Sequence, residues 1–334
     1  MDRADGDTAE VELSVVVPVY RCDECLSALH NRLVRALEPL GVAFELVFVD
    51  DRSPDASWET LVALNARDQR VRAVRLSTNF GQHAAITAGL AESRGRWVVV
   101  MDCDLQDPPE EVPRLYRTAT SGFDIVFARR KGRRHSLARR LGARTYFSLM
   151  NRFLGTRIEG EFGTFSVISG RVRDAYLSIG DRGRHYLFIL YWLGFDHTAV
   201  DVEHAPRHSG RSSYSVGRLL QHAVDGIFFQ TTLLLRWIVY LGFTVAVLGL
   251  ILAAFFTVIF FAGDPYPGWT SLAVLILLVG GFIIMSTGVT GLYIGKIFDQ
   301  VKDRPLYVVA ERLGGASERM EEPIAPPTAQ ASRR

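Results

Sequence analysis

Trp97-Val98-Val99-Val100-Met101-Asp102-Cys103-Asp104 is the stretch on which the reading of this chain turns. An unbroken apolar run centred on three valines ends abruptly in two carboxylates. A short apolar run without alternation is the pattern of a strand buried on both faces, as in a parallel sheet. Similar runs stand at Leu13–Val17, Phe44–Val49 and Val71–Leu76, each bounded by turn or polar residues. Helical patterns fall between them. The first opens near Asp23, and another follows Ser53-Pro54-Asp55, where Ser and Asp can cap. This alternation predicts an α/β fold, a mostly parallel, Rossmann-like sheet with helices on both faces.

In such sheets ligands bind outside the carboxyl ends of the strands. Two acidic clusters fall there, Asp50-Asp51 after the second run and Asp102-Cys103-Asp104 after the fourth. Carboxylates so placed carry a desolvation and repulsion penalty unless a cation or polar ligand meets them. The D-x-D spacing lets Asp102 and Asp104 turn toward one divalent ion. Mg²⁺ or Mn²⁺ suits such oxygen ligands and fills its shell with water and phosphate oxygens. A nucleotide diphosphate is the natural third party.

The chain has 334 residues, 48% hydrophobic and 22% charged, with a formal net charge of +2. That charge is too small to imply a nucleic-acid partner; its distribution says more. Cys22, Cys25 and Cys103 form no disulfide framework, and the single C-x-x-C has no second pair to complete a zinc site. The acidic first residues do not read as a signal peptide.

Ile238 to Ala262 contains no charged residue, and neither does Trp269 to Ile294. Each exceeds the roughly 20 residues that cross a bilayer. Arg236 precedes the first stretch and Lys296, Lys302 and Arg304 follow the second, whereas the intervening Gly263–Gly268 carries no Lys or Arg. Positive charge on both outer flanks predicts a membrane hairpin with both termini cytoplasmic. Just before it, Val216, Leu219, Leu220, Ala223, Val224, Ile227 and Phe228 repeat at helical spacing. This amphipathic helix is expected either in the membrane interface or against the catalytic domain.

Between Arg129 and Arg144 lie eight Lys or Arg residues, His135 and no acid. Aromatic residues are sparse there, which disfavours nucleic acid. Basic clusters beside a membrane attract anionic head groups at about 1 kcal/mol per charge, and arginines fork onto phosphate oxygens.

Several motifs together resemble polyprenyl-phosphate glycosyltransferases of family 2, which have a GT-A fold. They are Val17-Pro18-Val19-Tyr20, Asp50-Asp51-Arg52-Ser53, Asn79-Phe80-Gly81-Gln82-His83, Asp102–Pro109, Arg207–Tyr214, Gly291–Ile297 and Arg304-Pro305. The resemblance spans residues 11 to 312. It implies inverting transfer of a sugar from a UDP- or GDP-sugar to a polyprenyl phosphate of undecaprenyl or dolichyl type. It places Pro18, Tyr20, Asp50, Asp51, Asn79, Gln82, Asp102 and Gln106 at the donor, and Asp102 and Asp104 on Mg²⁺ or Mn²⁺. Asp104 also counts as catalytic. Arg130, Arg139, Arg207 and Ser212 are assigned to the acceptor phosphate. Glu161 stands where relatives often have Asp and is expected to orient the sugar or act as a base. The segment Gly163–Ser166, which lacks the relatives' Arg, is expected to shape the sugar pocket. Arg52 replaces a usual Gly, Ala143 a frequent Ser and Leu292 a frequent Glu.

The expected organisation is a disordered N-terminus over 1–10, a catalytic domain over 11–213 and an amphipathic juxtamembrane helix over 214–232. Membrane helices follow over 233–262 and 269–295, then a cytoplasmic segment over 296–313 and a disordered tail over 314–334. The resemblance further implies a homotetramer at a bacterial plasma membrane. Two rival readings are weaker. A processive polysaccharide synthase would bring more spans and a Q-x-x-R-W motif, and a silent scaffold would not need Asp102 and Asp104.

Overall fold

The protein is described by a computed structural model covering residues 11–131, 162–181, 184–203, 233–261 and 268–314. The N-terminus over 1–10, the amphipathic segment over 214–232 and residues 315–334 lie outside the described residues, as do Arg139, Glu161, Arg207 and Ser212.

Eight strands form one sheet. In chain order they are β1 (Leu13–Val19), β2 (Phe44–Asp50), β3 (Val71–Leu76), β4 (Trp97–Val100), β5 (Ile125–Lys131), β6 (Phe162–Ser169), β7 (His197–Glu203) and β8 (Val309–Leu313). Their spatial order is β7-β5-β6-β4-β1-β2-β3-β8. The middle of the sheet, β4-β1-β2-β3, is parallel, as the four apolar runs predict. Every residue of β1 and β2 is buried, because helices cover both faces. Helix α1 (Asp23–Leu37) and α2 (Ser57–Arg67) lie after β1 and β2, and α3 (Gln82–Glu92) after β3. Helices α4 (Val112–Thr120), α5 (Gly170–Ser178) and α6 (Tyr186–Leu193) complete the layers. Helix α3 packs tightly on the sheet at Gly89, where a Cβ would come within 2.3 Å of Val16 Cγ1.

The N-cap position of α2 is Ala56, and the side chain that ties the helix start is Asp55, one residue before it. Its Oδ1 accepts the Ser57 amide at 3.2 Å and the Ser57 hydroxyl at 2.6 Å at the start of α2. Its Oδ2 accepts the Asp23 amide at 3.4 Å, so one carboxylate serves two helix starts.

The apolar residues from Pro305 to Val308 stand before strand β8, which begins only at Val309. It pairs antiparallel with β3, Arg75 opposite Glu311 and Leu76 opposite Val309. Pro305 has no N–H to give a ladder, whereas Val308 already accepts the Ser77 amide at 2.8 Å.

Two long helices separate β7 from β8. Helix α7 (Leu233–Phe261) has 29 residues and α8 (Trp269–Val301) has 33. Taken over the described residues alone, no helix is long and apolar enough to cross a membrane. The two helices meet where a Cβ on Gly242 would stand 3.4 Å from the Phe282 ring. The last turn of α8 reaches the catalytic domain through Gln300, whose Nε2 donates to Gly180 O at 2.8 Å.

Candidate active site

The carboxyl ends of β1, β2 and β4 open onto one rim, because β4 stops first. The Met101 amide donates to Val16 O at 3.1 Å. Pro18, two residues beyond Val16, faces the same neighbour past the end of β4, so its missing N–H costs no ladder bond. Three non-glycine residues at this rim have positive φ: Arg21 at 55°, Arg52 at 56° and Leu105 at 61°. Each follows a strand and turns the chain away from the sheet in a conformation that costs an L-residue about 1–2 kcal/mol. Strain gathered at one edge of a sheet is a feature of ligand sites. It also explains Arg52, which occupies a left-handed position that glycine would take without cost.

Asp50 and Asp51 are both buried, and the chain itself holds them. Asp50 Oδ1 accepts the Ser53 amide at 2.9 Å, and Oδ2 lies 3.2 Å from Arg75 Nε, an ion pair whose angle falls short of a hydrogen bond. Burial pushes the Asp50 carboxyl above the usual range, opposed by the Ser53 bonds and by Arg75. Asp51 Oδ1 accepts the Phe80 amide at 2.7 Å and Oδ2 the Gly81 amide at 2.8 Å. Burial raises its pKa as well, against those two amides. Asp51 therefore clamps the turn before α3, with Gly81 at φ 93°. Asn79 and Gln82, both exposed, are displayed on either side of that clamp.

Gln82 joins the D-x-D segment. Its Nε2 donates to Asp102 Oδ1 at 2.7 Å, and Thr164 Oγ1 of β6 donates to the same oxygen at 2.8 Å. Asp104 Oδ1 accepts the Gln106 amide at 3.1 Å and shapes the turn carrying Leu105. Beneath this turn the Cys103 carbonyl accepts from Cys22 Sγ at 3.0 Å. Cys22, Cys25 and Cys103 are free and buried, and the Cys103 contact together with burial pushes the Cys22 thiol up. Tyr20 stands exposed at the mouth, with Arg21 over its ring at 5.5 Å.

Pro18, Tyr20, Asp50, Asp51, Asn79, Gln82, Asp102, Asp104 and Gln106 thus lie at the strand ends and in the segments that follow them along one edge of the sheet. Of the acceptor residues only the backbone of Arg130 is described, in β5; its neighbour Arg129 pairs with Asp201 of β7 at 2.5 Å. Sequence reasoning missed two residues. Thr164 was visible only as part of a variant sugar-pocket segment, and Arg75 carried no motif at all. Among the described residues no group of three or more His, Cys, Asp or Glu gathers as a metal cage. Two neighbouring carboxylates nevertheless fit Mg²⁺, which takes one or two protein carboxylates and fills its other positions with water and substrate oxygens.

Comparison with known proteins agrees with this geometry. Residues 14–177 match the model for "Glycosyl transferase family 2". An uncharacterized glycosyltransferase of Synechocystis sp. is 33% identical over 91% of this chain and 96% of its own length. An uncharacterized glycosyltransferase of Bacillus subtilis is 31% identical over 93% and 97%. A protein of Yersinia pestis named undecaprenyl-phosphate 4-deoxy-4-formamido-L-arabinose transferase is 35% identical over 91% and 94%. With the D-x-D rim on an α/β sheet and relatives matched along nine-tenths of its length, the chain belongs to glycosyl transferase family 2.

Proposed function

We propose that this glycosyltransferase moves a sugar from a nucleotide-sugar to the phosphate of a polyprenyl lipid at a membrane surface. The observation that carries the reading is where the chain returns after its second long helix. It leaves α8 at Val301 and reaches the sheet at Val308, beside Ser77, at the same strand ends that bear Asp50, Asp51, Asp102 and Asp104. A donor site tethered this closely to a membrane helix is suited to a lipid acceptor, and the Yersinia pestis relative is named for one.

Helices α7 and α8 are read as the hairpin anchor. At 1.5 Å per residue their 29 and 33 residues outrun the roughly 30 Å hydrocarbon layer. They turn Phe243, Phe261 and Ile284 outward, as a lipid-facing surface requires. Both termini and the catalytic domain then lie on the cytoplasmic side.

In the proposed site, Pro18, Tyr20, Asp50 and Asp51 line the nucleoside end. Gln82, Asn79 and Gln106 frame the diphosphate. Asp102 and Asp104 would hold Mg²⁺ or Mn²⁺, which when bound supplies positive charge to the departing diphosphate. Gln82 and Thr164 hold Asp102 through its Oδ1. Arg130, Arg139, Arg207 and Ser212 are proposed to grip the lipid phosphate, with Glu161 toward the sugar.

The nucleophile is a phosphate monoester, whose second pKa is about 6. Near neutral pH it is largely dianionic and needs no dedicated base. Catalysis then rests on aligning its oxygen with the anomeric carbon and stabilising the leaving diphosphate. Direct displacement inverts that carbon. The test is incubation of purified protein with a panel of UDP- and GDP-sugars, undecaprenyl or dolichyl phosphate, and Mg²⁺ or Mn²⁺. A lipid product heavier by one sugar supports the reading; sugar transferred only to water or to soluble acceptors refutes it. Retention at the anomeric carbon by NMR would refute direct displacement.

A further inference from the structure

Strand β8 joins the edge of the sheet beside β3, yet it comes from beyond α8, more than two hundred residues along the chain. Its contacts divide by position. At the far end Arg312 Nε meets Glu92 Oε1 at 2.9 Å, and Arg72 Nε donates to Gly314 O at 2.8 Å. At the site end Tyr307 and Val309 pack with Phe80 on Val49, Val74, Leu76, Ala85 and Ala88, under the turn that Asp51 clamps. There too, Glu311 Oε1 lies 3.4 Å from Arg75 Nη1. Arg75 Nε in turn lies 3.2 Å from Asp50 Oδ2, and its guanidinium rests 5.4 Å from the Trp58 ring centre.

We infer that Arg75 is a positioning residue for the donor site, orienting the buried Asp50 carboxylate, and that β8 holds Arg75 in place through Glu311. The inference rests on the reading of Asp50 as a donor-binding residue. Asp50 is fully buried, and among the described residues its Oδ2 faces one cation, Arg75, at ion-pair distance. An Arg fork has several donors, so its aim depends on what holds the other nitrogens. Glu311 and Trp58 do so here. The segment leaving the membrane hairpin thereby becomes part of the nucleotide pocket.

The test uses the full chain in detergent micelles, with UDP and GDP titrated in the presence of Mg²⁺. Arg75→Met is expected to weaken nucleotide binding about tenfold and to raise the donor KM with the acceptor KM unchanged. In an Asp50→Asn background the same change should add nothing, since neighbours acting through one contact are non-additive. Glu311→Gln should weaken binding about 2- to 3-fold, as expected for a half-exposed ion pair. Arg312→Gln, on the same strand but paired away from the site, should leave it unchanged. Additive losses for Arg75→Met and Asp50→Asn would overturn the inference while leaving the donor site standing. Equal effects of Glu311→Gln and Arg312→Gln would overturn the role of β8. Unchanged binding in Asp50→Asn alone would overturn both the inference and the donor reading of Asp50.

Discussion

Replacing Asp51 with alanine removes both acceptors of the clamp before α3. In the native chain its two oxygens take the Phe80 and Gly81 amides at 2.7 and 2.8 Å, and its side chain is buried. Alanine leaves two amides without partners, each costing about 1–3 kcal/mol where water does not replace the acceptor. Part of that loss is offset, because burial already pushes the Asp51 carboxyl up and disfavours its charge. A net loss of about 2 kcal/mol is expected, which for a domain of this size lowers the thermal midpoint by about 4–8 °C. Asp51→Asn keeps one acceptor oxygen and should lose about half as much. Gln82 follows the same turn and donates to Asp102, so loosening the turn should loosen the proposed donor site. If about 1.4 kcal/mol of the loss falls on the turn, nucleotide affinity drops about tenfold. Thermal melts in one detergent, paired with nucleotide titrations at 20 °C below the lower midpoint (about that margin suffices), separate the two effects. A variant that melts and binds as wild type would refute the clamp.

Gln82→Leu removes a donor from Asp102 Oδ1, and kcat with saturating donor should fall about tenfold; Thr164→Val should fall less, and the double variant more than either. Arg52→Gly relieves a left-handed backbone at φ 56° and should raise stability by about 1 kcal/mol, read as a higher thermal midpoint. Asp68 gives a pH signature away from the site. Burial works against its charge, but hydrogen bonds from Arg70 and His30 outweigh this and hold the carboxyl down to about 2. A depressed pKa stabilises the fold above the ordinary 3.8 and loses that contribution as pH falls toward 2. Asp68→Asn should therefore cost about 1–2 kcal/mol at neutral pH, with the gap from wild type closing on acidification between those values.

The middle of the fold was legible because fully buried parallel strands have no polar face to hide. The runs at Leu13, Phe44, Val71 and Trp97 match β1 to β4 to within two residues at their ends. The carboxylates at their tips were legible for the same reason, as charges at the end of an apolar run. Strands β5, β6 and β7 were not singled out. In β7 the sequence HTAVDVE mixes exposed and buried positions over a short span. Strand β8 was displaced by the apolar residues before it, and nothing local to Val309–Leu313 announces a partner at Ala73–Leu76. Helix caps behave differently, because Asp55 acts on amides only two residues away. The contacts Thr164–Asp102 and Arg75–Asp50 join residues 62 and 25 positions apart, set by the order of strands rather than by spacing along the chain.

On the proposed reading, the carboxylates after β4 serve a donor diphosphate for transfer to a lipid phosphate. The most direct measurement compares wild type with Asp102→Asn and Asp104→Asn, each shown to melt like wild type, in transfer from the competent nucleotide-sugar to undecaprenyl phosphate. Mg²⁺- or Mn²⁺-dependent lipid product is expected to fall by about 10²-fold or more in both variants. Turnover at the wild-type rate in either one would contradict it.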